Sequence, residues 1–124
     1  MDLNRNFPTE FNYYHSTPGD PIYGGSKPIN QPFTICLESV LEEKKPDIFL
    51  DFHSGANGDL FHQNGVNQKQ ELKIVNGIND KFCGGKCRIT TLRKDGEAIN
   101  GHIFADVKVR LKVPISILFE VYGD

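Results

Sequence analysis

The sequence predicts an α/β domain built on a largely parallel or mixed sheet. Two apolar runs of strand length, DIFLDFH at residues 47–53 and VPISILFEVYG at 113–123, stand apart from three stretches whose apolar residues recur at helical spacing. Their order along the chain is helix, strand, helix, helix, strand, which fits strands joined by helical crossovers. The 124 residues, 38% apolar and 24% charged, are enough for one core of ordinary composition, so one domain is expected.

Residues 8–30 are rich in Pro, Gly, Asn, Tyr and Ser with no sustained period, which predicts a long irregular loop of the kind kept for function. From Gln31 the pattern turns helical: Phe33, Cys36, Leu37, Val40 and Leu41 mark an apolar stripe, and the charges of Glu42 to Lys45 trail off before Pro46. The run at 47–53 is apolar on both faces and predicts a strand buried in a sheet covered on both sides. A polar loop carrying His62 follows. Leu72, Val75, Ile78 and Phe82 predict a second helix, RITTL at 88–92 a short strand, and Ile103, Phe104, Val107 and Leu111 a third helix. In the last run Ile115, Ile117, Phe119 and Val121 alternate with Ser116, Leu118, Glu120 and Tyr122, the period of a strand.

Lysine and arginine total 14 against 16 aspartates and glutamates, without a run of one sign, so the sequence carries no footprint for nucleic acid or a charged membrane surface. No stretch approaches the length of a membrane-spanning helix. Cys36 sits on the first helical stripe and reads as a small core residue. Cys83 and Cys87, in CGGKC, are spaced for a tight disulfide, with free thiols or a metal clip as the alternatives; two thiols alone do not complete a tetrahedral zinc site.

Candidate chemistry gathers at strand ends. His53 closes the first strand and Glu120 lies near the end of the last, on the sheet edge where ligands bind in open α/β folds. DLNRNFP at residues 2–8, YGGSKPINQ at 23–31, DIFLDFHSG at 47–55 and ILFEVYGD at 117–124 occur in this order, and the combination resembles the zinc carboxypeptidases related to carboxypeptidases A and B. The resemblance implies a three-layer α/β/α fold with a mixed sheet. It also implies that Asn4 and Arg5 bind the terminal carboxylate of a peptide or protein substrate, that His53 is a ligand of a catalytic Zn2+, and that Glu120 is the general base. Arginine's planar fork meets a carboxylate with two parallel hydrogen bonds, an asparagine amide adds a neutral donor, and a glutamate beside zinc-bound water takes its proton.

Three departures stand out. Family members take two zinc ligands from an H-x-x-E motif upstream of the Asn-Arg pair, whereas His15, His53, His62 and His102 are followed by STP, SGA, QNG and IFA. The family's second arginine is likewise missing. No tyrosine stands between Tyr23 and Tyr122, where the substrate-covering tyrosine belongs. Residues 1–124 are therefore expected to be the C-terminal half of a carboxypeptidase catalytic domain, without the H-x-x-E half and a final helix, and inactive alone. The rival expectations are a zinc deacylase related to aspartoacylase and succinylglutamate desuccinylase, and a non-catalytic domain that binds peptide C-termini. The specificity pocket is expected around residues 102–106.

Overall fold

The computed structural model describes residues 1–9, 11, 17–54, 58–63, 65–92 and 102–121. Strands β1 (Ile48–Ser54), β2 (Asp59–Gln63), β3 (Ile89–Leu92) and β4 (Ile115–Val121) form one mixed sheet in the order β1-β4-β2-β3. β1 runs parallel to β4, β2 antiparallel to β4, and β3 parallel to β2. Helices α1 (Pro32–Lys44) and α3 (Ile103–Val109) pack on one face of this sheet and α2 (Gln68–Phe82) on the other. The α/β class and the mixed sheet agree with the sequence.

β4 is one of the two interior strands, and its chemistry shows why. Ile117 and Phe119 point to the α2 face, where they pack with Leu60 and Val75. Ser116 points to the other face and donates its hydroxyl hydrogen to Phe104 O at 2.9 Å, and Leu118 is buried beside it. A strand with helices on both faces buries both of its side-chain rows. The second core joins Phe7, Leu41, Ile103, Val107 and Val113, with Leu37 and Phe49 at its margin.

Four expectations need correction. The polar loop around His62 is strand β2: Leu60 and His62 are buried against α2, and five residues of mixed polarity were too few for a periodic signal. β1 is covered on one face only. Phe49, Asp51 and His53 face α1 and α3, whereas Ile48, Leu50 and Phe52 are exposed on an edge strand. The face that α1 buries is Thr34, Glu38 and Leu41, leaving Phe33, Cys36 and Val40 outside, so Cys36 is an exposed free thiol rather than a core residue. That orientation is set by polar partners: Thr34 Oγ1 donates to Asn6 Oδ1 at 2.7 Å, and Glu38 pairs with Arg110 at the end of α3. Tyr13, Tyr14, His15 and Tyr122 lie outside the described residues.

Two polar devices lock the layers. Glu71 on α2, wholly buried, accepts from Lys108 Nζ at 2.6 Å and from the Ser116 backbone amide at 2.8 Å, joining α2, α3 and β4. Cys83 and Cys87 form a disulfide just beyond α2, and Asn79 brackets it by accepting from Cys87 N and donating to Cys87 O. Of the sequence's alternatives, the disulfide is the one realised. Among the described residues no helix is long and apolar enough to cross a membrane.

Candidate active site

The site is assembled at the C-terminal ends of β1 and β4 from three separate stretches of chain. Parallel pairing sets His53 directly beside Glu120, and His53 Nδ1 lies 3.6 Å from Glu120 Oε1. On Glu120's other side the antiparallel register places Asp59, a buried carboxylate held by Arg88. Residues opposed in a ladder share a face, so His53, Glu120 and Asp59 form one row across the sheet edge.

Asn4 and Arg5 reach this edge on a single 3-10 turn, Leu3–Arg5. Asp2 caps the turn by accepting from Asn4 N at 2.9 Å, and its own amide donates to Tyr23 O at 2.8 Å. The next residue, Asn6, is the hub of the support. Its Nδ2 donates to Gly24 O, Lys27 O and Asn30 Oδ1, while its Oδ1 accepts from Asn30 N and Thr34 Oγ1. Two glycines permit this closeness. A Cβ on Gly24 would stand 2.2 Å from the Arg5 carbonyl oxygen, and Gly25 has φ +102°, in the left-handed region that favours glycine. The YGGSKPIN stretch therefore serves as the bed on which the Asn-Arg turn rests.

The four residues marked by the sequence come together. Asn4 Nδ2 lies 2.9 Å from His53 Nε2, and Arg5 NH1 donates to Asn4 O at 3.0 Å and lies 3.7 Å from Asp2 Oδ2. Two further residues join them that the sequence did not mark individually. His102, at the start of α3, places Nδ1 3.2 Å from Asn4 Nδ2 and Nε2 in contact with Arg5 NH1, and its ring stacks on His53 with centroids 5.7 Å apart. Asp51, one pleat before His53, puts Oδ2 3.2 Å from His53 Nε2. His102 stands in no motif, and Asp51, although inside the DIFLDFHSG stretch, was hinted at only as a carboxylate two residues before a strand-end histidine. Asp106, from the same 102–106 stretch, does not line the site; it accepts from Thr9 N and Oγ1 and so anchors the loop that follows the Asn-Arg turn.

Burial, followed by the positive charge of Arg5, pulls the His102 pKa down to about 2, so its ring is neutral. Burial pushes the Asp51 carboxyl above its ordinary value, with His53 opposing. Asp51, His53 and His102 are a metal-capable group, their ligand atoms within 4.8 Å of one another. Two imidazoles and a carboxylate form the donor set zinc takes. Asp51 Oδ2 is buried without an aligned hydrogen-bond partner, as befits a ligand or a carboxylate that orients one.

No curated protein matches the chain. A sequence model described as zinc carboxypeptidase matches residues 1–79, a span that holds Asn4, Arg5, Asp51 and His53 and stops short of His102 and Glu120. With well over half its residues matched, and with those of the Asn-Arg turn and the strand-end histidine meeting at one sheet edge, the chain belongs to the zinc carboxypeptidase family.

Proposed function

We propose that residues 1–124 are part of a metallocarboxypeptidase catalytic domain that hydrolyses the C-terminal peptide bond of peptides or proteins. The observation that carries this reading is the convergence of Asn4, Arg5, His53 and Glu120, drawn from both ends of the sequence, on one sheet edge. In this reading Arg5 and Asn4 bind the substrate's terminal carboxylate, which selects a chain end over an internal bond. Glu120 takes a proton from the attacking water and returns it to the leaving amine. His53 holds the zinc, and Asp51 Oδ2 lies 3.2 Å from its Nε2, the nitrogen turned away from Glu120. A zinc bound there polarises the scissile carbonyl and acidifies the water. In this reading the remaining zinc ligands are the family's H-x-x-E pair, which residues 1–124 do not contain.

The test is a comparison of substrates with the zinc-loaded complete domain: a peptide with a free C-terminus, the same peptide amidated, and an N-acyl amino acid. Release of the last residue from the free peptide alone is the expected result. Turnover of the N-acyl amino acid without peptide cleavage would make the protein a deacylase. Arg5-dependent binding of the free peptide without any cleavage would make it a non-catalytic C-terminus binder.

A further inference from the structure

We infer that His102 is a further residue of the substrate site, an internal placeholder that occupies the carboxylate clamp of Asn4 and Arg5 until a substrate's chain end displaces it. The inference rests on the carboxylate-binding reading above and concerns a residue that reading does not use.

The orientation of Asn4 is fixed independently of the histidines. The backbone amide of Ile103 donates to Asn4 Oδ1 at 3.0 Å, so the NH2 end of the side chain is the one turned toward the rings. That end meets His102 Nδ1, and Arg5 NH1 meets His102 Nε2. The two nitrogens of an imidazole are spaced much as the two oxygens of a carboxylate, so His102 offers the clamp the outline of the group it is proposed to bind. The match is incomplete in one respect. A neutral imidazole carries a hydrogen on one nitrogen and a lone pair on the other, so it accepts from only one of the two donors, whereas a carboxylate accepts from both. His102 keeps the clamp filled without satisfying it.

Apart from its place in the metal-capable group with Asp51 and His53, the ring has no structural duty among the described contacts. His102 is the N-cap residue of α3, but its side chain makes no capping hydrogen bond, and the helix is held by Ile103, Val107 and Asp106 through contacts that do not involve the imidazole. The ring is nonetheless almost fully buried. Asn4 Nδ2 also touches His53 Nε2, a contact that displacement of His102 does not itself break. A substrate must therefore outcompete an intramolecular contact, and the affinity measured is lower than the empty clamp would give.

The experiment uses the 124-residue chain in EDTA, so that no metal takes part, with N-acetylphenylalanine as the acid probe and its C-terminal amide as the control. Calorimetry and the ring 15N signals of the histidines are the readouts. The expected results are three: acid but not amide shifts the His102 ring signals, His102→Ala binds the acid about five-fold more tightly than wild type, the value of one ordinary hydrogen bond, and adding Arg5→Ala to that variant removes the binding. Acid binding that is no tighter in His102→Ala, yet still weakened by Arg5→Ala, overturns the placeholder and leaves the carboxylate reading standing. Binding indifferent to Arg5 overturns both. Failure of wild type and His102→Ala alike to bind the acid overturns the placeholder, since vacating the clamp would then have released nothing. If His102→Ala does not fold, the wild-type spectrum decides: His102 ring signals unmoved at saturating acid overturn the inference.

Discussion

At the scale of single residues the proposed function divides the site into groups that hold substrate and a group that moves protons, and mutation in a catalytically competent domain should separate them. Arg5→Ala removes a charge-assisted interaction made in ground and transition states alike, so KM should rise roughly 10- to 100-fold while kcat changes less. Glu120→Gln keeps shape and removes the base, so kcat should fall at least about 100-fold with KM little altered. Steady-state kinetics on one good peptide distinguishes the two, and near-normal kcat in Glu120→Gln would remove Glu120 from its role. Asn4, Arg5, His53 and Glu120 were legible in the sequence because each lies in a short stretch with a family-like pattern. His102 was not. It meets Arg5 and Asn4 across separations of 97 and 98 residues, and an isolated histidine before an apolar helix looks like any N-terminal helix residue until the fold brings it to the clamp.

At the scale of elements, the Asn-Arg turn depends on a bed formed by another stretch of chain, and Asn6 is the pin between them. Truncating Asn6 removes the donor to the carbonyls of Gly24 and Lys27, while the Thr34 hydroxyl keeps Gln31 O at 3.0 Å. Asn6→Ala should therefore cost about 2 to 4 kcal/mol in denaturant unfolding, the sum of one or two unmet buried groups. Gly24→Ala acts on the same bed by collision, its Cβ pressing on the Arg5 backbone. It should weaken binding of a C-terminal carboxylate while an Arg5-independent ligand of the zinc binds as before, and equal loss of both would show a general collapse instead. The helices and the two long strands were readable because their periods run over seven residues or more. β2 was hidden because its five residues mix Asp, His and Gln with two apolar positions, and the buried face of α1 was misread because Thr34 and Glu38 are buried with partners that lie in other elements.

At the scale of the molecule, the sheet ends on β1 with one apolar row uncovered. Ile48, Leu50 and Phe52 face outward, Phe52 at 62% exposure, although Phe52 still stacks on Phe119 at 4.6 Å between centroids. An exposed apolar edge strand invites pairing, so the 124-residue chain should self-associate as concentration rises, and Leu50→Lys should reduce that association in sedimentation experiments. Acid is the second stress the fold meets, and its sign follows from two buried histidines. His62 is wholly buried between Thr91, 2.7 Å from its Nε2, and the Glu71–Lys108 pair, and burial lowers its pKa; His102 is lowered to about 2. Both rings stay neutral in the folded chain below about pH 6.5, where the unfolded chain takes up protons, so their contribution is full above that pH and is lost as pH falls toward the folded values. Asp51 and Asp106, whose pKa values are raised by burial, act in the opposite sense and favour the fold at the acid end. The histidine window opens first on acidification from neutrality. Unfolding free energy should therefore decline from about pH 6.5 downward, and His62→Gln, which cannot titrate, should flatten that decline. A variant whose pH slope equals that of the wild type would mean that His62 already carries its proton in the fold, and that the unpartnered Glu71 Oε2 beside it is where the charge is balanced.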